Sequence, residues 1–139
     1  MAKEAIHSKH APAAIGPYSQ GIRAGGTVYL SGQIGLDPAA GQLVEGVEEQ
    51  THQVLKNLRA VAQAAGGELD DIVKLTLLLA DMADFAKVNE IMATYFKPPF
   101  PARATYQVAA LPRAARVEIE AILVLAPLVD AIATPRSSE

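Results

Sequence analysis

The sequence predicts an α+β domain, one sheet with two helices packed on the same face. Three observations carry this. Two segments alternate in strand fashion, Val73 to Leu79 and Val117 to Val124. Two others repeat apolar residues at three- and four-residue steps, starting at Val47 and at Phe85. The order is two strands, helix, strand, helix, two strands, with no repeat and no shift in composition that marks a domain boundary.

The first two strands lie in QGIRAGGTVYLSGQIG, around Gly25-Gly26. A Gly-Gly pair between β-prone runs signals a hairpin, because glycine reaches positive φ at little cost. Val28, Leu30 and Gly32 are expected on one face, Tyr29 and Ser31 on the other. Asp37 to Gln42 is turn chemistry. From Val47, the residues Thr51, Val54, Leu55, Leu58, Val61, Ala62 and Ala65 mark the apolar side of a helix. Glu48, Glu49, Gln53, Lys56, Asn57, Arg59 and Gln63 fill its polar side, and Gly66-Gly67 stops it. In DIVKLTLLLAD, Val73, Leu75, Leu77 and Leu79 share a strand face, with Lys74, Thr76 and Leu78 opposite. Asp81 is expected to cap the second helix, with Asp84 three residues on. Phe85, Val88, Met92 and Tyr95 or Phe96 form that helix's buried stripe, and KPPFP breaks it. The residues after Pro127 lose periodicity and read as a frayed tail, 128–139, behind a single domain of 1–127.

Composition narrows the function. The chain has 139 residues, half of them hydrophobic and 19% charged, which suits one globular domain. A net charge of −3 gives no general attraction to nucleic-acid backbones. The absence of cysteine excludes disulfides and thiolate chemistry. His7, His10 and His52 have no ligand spacing and read as surface residues, so no metal is expected. No apolar run is long enough to span a membrane, and the N-terminal residues lack a signal-peptide core, so the expectation is a cytoplasmic domain.

The last two strands carry unusual charges. Alternation puts Arg116, Glu118 and Glu120 on one face with Ile122 and Val124, while Val117, Ile119, Ala121 and Leu123 face the helices. The face away from the helices, with Leu78, Ile122 and Val124, is too apolar to stay in water, so a second subunit is expected to cover it. Arg103 opens the strand before the Leu111-Pro112 break. A Pro112-containing loop returns the chain antiparallel and could bring it near the charged end of the final strand. A guanidinium there could hold a small carboxylate at two points, and a partly desolvated glutamate could move a proton. The plainer alternative is a structural ion pair.

The segment PARATYQVAALPRAARVEIEAI (101–122) contains Pro-x-Arg, Leu-Pro and Val-Glu-Ile-Glu at a spacing that resembles the RidA (YjgF/YER057c/UK114) family. IGPYSQG, SGQI and FAKVNEIMATYF resemble three further segments of that family in the same order. The resemblance covers Lys3 to Pro127. It implies a chorismate-mutase-like α+β subunit with a mixed six-stranded sheet, two helices on one face, and a homotrimer with ligand clefts between subunits. It also implies a 2-iminobutanoate/2-iminopropanoate deaminase. Such an enzyme hydrolyses carboxylate-bearing enamines and imines, such as 2-aminoacrylate and 2-aminocrotonate, to 2-keto acids and ammonia, with no cofactor, metal, nucleic acid or membrane. By resemblance, Arg103 clamps the substrate carboxylate, Glu118 positions water, and Tyr18, Asn89, Ser31 and Gly32 line the site. Ala104-Thr105 stands where many relatives have Ser-Cys, and the backbone at Thr105 is the part expected to serve. Three other readings remain: a regulatory trimer that binds 2-keto acids without turnover, an RNA-cleaving translation inhibitor, and a holdase-like chaperone. The acidic balance speaks against the RNA reading.

Overall fold

The computed structural model describes residues 2–126; the tail at 128–139 lies outside the described residues. Six strands form one mixed sheet: β1 Glu4–Ile6, β2 Gly21–Ala24, β3 Thr27–Ile34, β4 Ile72–Leu79, β5 Ala102–Gln107 and β6 Val117–Val124, in the spatial order β1-β2-β3-β6-β4-β5. Helices α1 (Val47–Ala64) and α2 (Phe85–Met92) connect β3 to β4 and β4 to β5. Strands β4 and β5 are parallel, and β6 runs antiparallel to both of its neighbours, β3 and β4. β1 pairs with β2 over three residues and is too short to show a period of its own.

The core lies between the sheet and α1. Val54, Leu55, Leu58 and Val61 of the helix are fully buried against Leu77, Leu79, Val117, Ile119 and Leu123 of the central strands. Each such side chain contributes roughly 1.5–3 kcal/mol when removed from water. The stop of α1 is a Schellman motif: Gly67 N–H donates to the Ala62 carbonyl at 2.9 Å and Gly66 N–H to that of Gln63 at 3.0 Å. Gly66, at φ 95°, supplies the left-handed residue this motif needs. At the Asp37 turn, Gly41 N–H donates to the Asp37 carbonyl at 2.7 Å, and the Asp37 side chain accepts from Ala39 N–H at 2.8 Å.

Four details differ from the sequence reading. Asn57 is fully buried, not on the wet side of α1, and its Nδ2 donates to the carbonyls of Ile34 and Leu36 at 3.3 and 3.0 Å. Val73 is 47% exposed, because a register shift between Ile72 and Lys74 turns Ile72 inward in its place. Asp81 caps a 3-10 turn, Met82–Asp84, by accepting from Ala83 N–H at 2.9 Å; α2 itself starts after Asp84 with no side-chain cap. A second register shift, between Leu30 and Gln33 of β3, turns Gln33 to the core and leaves Gly32 exposed. No helix among the described residues is long and apolar enough to cross a membrane.

Candidate functional site

The β3 bulge builds the first cleft. Leu30 pairs with Ala121 and Gln33 with Ile119, so β3 spends one more residue than β6 over this stretch. Ser31 and Gly32 are that stretch. The Ser31 hydroxyl donates to the Ser19 carbonyl and its N–H to the Gln20 carbonyl, which ties the bulge to the loop before β2. Gly32 lies against Glu118: a Cβ there would collide with the Glu118 carboxylate and come within 3.0 Å of its Cδ. Tyr18, Ser31, Gly32 and Glu118 line one cleft of about 440 Å³, with Ile15 and Arg113 also on its wall.

Gln20 frames this cleft from behind. It is 3% exposed. Its Oε1 accepts from Ser8 N–H at 2.6 Å, and its Nε2 donates to the carbonyls of Ser8 and Pro12 at 3.0 and 2.8 Å. One amide thus fixes the loop that carries Pro12 and Ala13 into the wall. Sequence reasoning missed Gln20, since a lone amide in a loop has no periodic signal. The Glu118 carboxyl is half-buried, and this burial pushes its pKa above the usual glutamate range, with repulsion from Glu120 adding to the rise.

The second cleft lies on the other side of the sheet. Strand β5 is an edge strand, and Arg103 pairs with Leu75, whose side chain belongs to the helix-covered core. Arg103 therefore points toward α2. Its Nη1 donates to Asn89 Oδ1 at 2.6 Å, and its guanidinium lies 5.4 Å from the centre of the Phe85 ring. Asn89, Arg103, Phe96 and Phe100 line a cleft of about 440 Å³. Thr105 is one strand step further along the same face, opposite Leu77, and does not line this cleft.

Within one chain, then, the predicted residues fall into two groups. The expected approach of Arg103 to Glu118 does not occur. β4 is inserted between β5 and β6, and the two side chains leave opposite faces of the sheet. A hairpin-like return through Pro112 cannot make strands adjacent when a third strand pairs with both. Arg116 also leaves the charged group: its Nη2 is 2.8 Å from Asp84 Oδ2, and its backbone N–H donates to Gln50 Oε1 at 2.8 Å. Glu120 stays exposed beside Glu118 on the open face. His7 and His10 are exposed as expected, but His52 is half-buried, with Nδ1 2.7 Å from the Tyr95 hydroxyl.

The open face carries Tyr29, Ile122, Val124, Leu78 and Tyr106, with Tyr29, Val124 and Tyr106 largely exposed. The fold and the two clefts define a class of protein: a small α+β domain that presents an arginine cleft on its helix side and a carboxyl cleft on its open side. Residues 8–125 match the family described as Endoribonuclease L-PSP. The chain is 57% identical over 130 residues to a mouse protein named 2-iminobutanoate/2-iminopropanoate deaminase, covering 93% of this chain and 96% of that one. Its structure matches RidA from the Antarctic bacterium Psychrobacter sp. PAMC 21119 with a TM-score of 0.86 at 48% identity, over 88% of this chain and 99% of that one. E. coli TdcF, solved with bound serine, matches with a TM-score of 0.85 at 38% identity, again over 88% and 99%. The chain belongs to the Endoribonuclease L-PSP family, also known as the RidA family.

Proposed function

We propose that this chain hydrolyses 2-imino acids, and the enamines that tautomerise to them, to 2-keto acids and ammonia. One observation carries the reading: a pre-aimed arginine and a half-buried carboxyl occupy clefts on opposite faces of one sheet. Two copies of the chain that pack the arginine cleft of one against the carboxyl cleft of the next would complete a site that neither holds alone. A closed homotrimer satisfies this at every interface, and the apolar open face favours burial by another copy. The names of the curated relatives support the reaction.

The chemistry follows from the groups. The Arg103 fork donates to the substrate carboxylate at two points. Asn89 and the Phe85 ring hold the guanidinium in place before substrate arrives. A protonated imine carbon is already electrophilic. Glu118 takes a proton from water as its oxygen bonds to that carbon and the C=N π pair moves to nitrogen. The resulting carbinolamine then collapses. Glu118 returns the proton to nitrogen, then takes the hydroxyl proton as the oxygen lone pair forms the carbonyl and the C–N bond breaks, so ammonia leaves and the proton ends on the Glu118 carboxyl. A carboxyl that burial holds above its usual range suits both turns. Tyr18, Ser31 and Gly32 would fix the substrate's position on the Glu118 side, with Gly32 leaving the room a side chain would take. Thr105 would act only through its backbone.

The test generates 2-aminoacrylate in place with a serine dehydratase, with semicarbazide as the competing trap. Faster appearance of free pyruvate on addition of this protein supports the reading. Saturable keto-acid binding without acceleration would replace it with the regulatory alternative. The family's description also names RNA cleavage. The net charge of −3 disfavours it, and RNA affinity that falls steeply with salt would favour it.

A further inference from the structure

The turn that enters β6 holds a strained arginine that the reaction above does not use. Arg113 and Ala114 both have φ of 59°. A side chain in the left-handed region crowds the next carbonyl, and two such residues in succession persist only where neighbours hold them. Pro112 precedes them, and Ala114 N–H and Ala115 N–H donate to the carbonyls of Leu111 and Pro112 at 3.2 and 3.0 Å. The turn places Arg113 on the wall of the Glu118 cleft. Its Nη2 donates a long 3.4 Å hydrogen bond to the Gly41 carbonyl. Among the described residues, no carboxylate comes within ion-pair distance of it.

In a single chain the cleft measures about 440 Å³, within the size range of ligand pockets, before a second copy packs against it. Ile15, Tyr18, Leu36 and Pro112 supply an apolar wall, and among the described residues Arg113 is the one cation that lines it. A substrate side chain lying along this wall reaches a planar guanidinium with most of its donors unused. Without that cation, a second carboxylate in the cleft of this chain would face the carboxyl of Glu118 with no positive charge beside it.

We infer that Arg113 is an anion subsite which admits imines whose side chain ends in a carboxylate, such as those of acidic amino acids. The inference rests on the imine-hydrolase reading and adds a substrate class to it. The experiment compares 2-iminoglutarate with 2-iminopropanoate. Each is made in place by an amino-acid oxidase of matching specificity, and the ratio of the two accelerations is the readout. Arg113→Gly removes the guanidinium and keeps a residue at home in left-handed backbone. It should lower the ratio about tenfold, the scale of one charged hydrogen-bond pair. Arg113→Lys keeps the charge and should hold the ratio within about threefold of wild type. An unchanged ratio in Arg113→Gly, an equal fall in Arg113→Lys, or a wild-type protein that accelerates only 2-iminopropanoate would each overturn the subsite and leave the hydrolase reading standing. Acceleration of neither imine by wild type would remove the hydrolase reading itself.

Discussion

The two clefts are built from different materials. The Arg103 cleft is made of side chains at a sheet edge. A guanidinium is held by the Asn89 amide and the Phe85 ring, both from α2. The Glu118 cleft is made of backbone in the middle of the sheet. A bulge, a glycine and a loop tied down by Gln20 surround a carboxyl on β6. The first cleft arrives finished. The second holds a charge at some cost, since burial and Glu120 both oppose the ionised form of Glu118. A binding group gains from being fixed in advance, whereas a proton-transfer group gains from being held away from its resting ionisation.

The strongest test of this division puts each cleft out of action separately. Glu118→Gln should cost roughly a hundred- to ten-thousand-fold of the acceleration, and Arg103→Ala should abolish it at low substrate. Neither variant should recover alone. If the clefts come from different copies, equal amounts of the two variants, unfolded and reassembled together, should regain about a quarter of wild-type activity, since about a quarter of ring interfaces pair two intact halves. No recovery from properly assembled mixtures would break the two-copy arrangement.

Asn89→Ala sharpens the comparison on the arginine side. It frees the guanidinium without removing it, so KM should rise about tenfold while kcat falls less. Initial-rate kinetics across substrate concentration separate the two. On the carboxyl side, Gln20→Ala leaves buried carbonyls and one N–H without partners and should lower unfolding stability by about 1–3 kcal/mol, read from the denaturant midpoint. The same variant should leave Arg103-side binding of a keto acid less affected than turnover.

The smallest effect concerns pH. Glu120→Gln removes a repulsion that helps hold the Glu118 carboxyl above its usual range, so the acid limb of the rate profile should move to lower pH. Because burial is the larger cause, the limb should stay above that of an ordinary glutamate. The same shift fixes a sign for stability. The unfolded chain loses this proton at lower pH than the folded one, so Glu118 opposes folding from the ordinary glutamate range upward. Glu118→Gln should therefore melt no lower than wild type near pH 7 while losing most of its activity.

Much of the fold was legible because its long elements are amphipathic. α1 and β6 bury the residues their periods single out, Val54, Leu58 and Val61 in one and Val117, Ile119 and Leu123 in the other. The face of β6 that carries Glu118 and Glu120 was legible for the same reason. What escaped was long-range pairing. Nothing in the spacing between Arg103 and Glu118 announces that β4 lies between their strands. The two β-bulges escaped as well, because a bulge is a mismatch with a partner strand and one strand's pattern does not contain it. That is why Gly32 and Val73 lie on faces that the alternation of their own strands does not predict. The burial of Asn57 has no signal in the helix period because its partners are two carbonyls at the end of β3 and just past it, more than twenty residues away.

The extra residue of β3 has one more implication. Deleting either Ser31 or Gly32 would restore strict two-residue alternation opposite Glu120, with Leu30 and Gln33 still facing the core. The sheet would be tidier and its ladder unbroken, yet the hollow beside Glu118 would close. In this molecule the usable space comes from an irregularity that a single codon could erase, and a shorter chain here would fold into a smoother and idle surface.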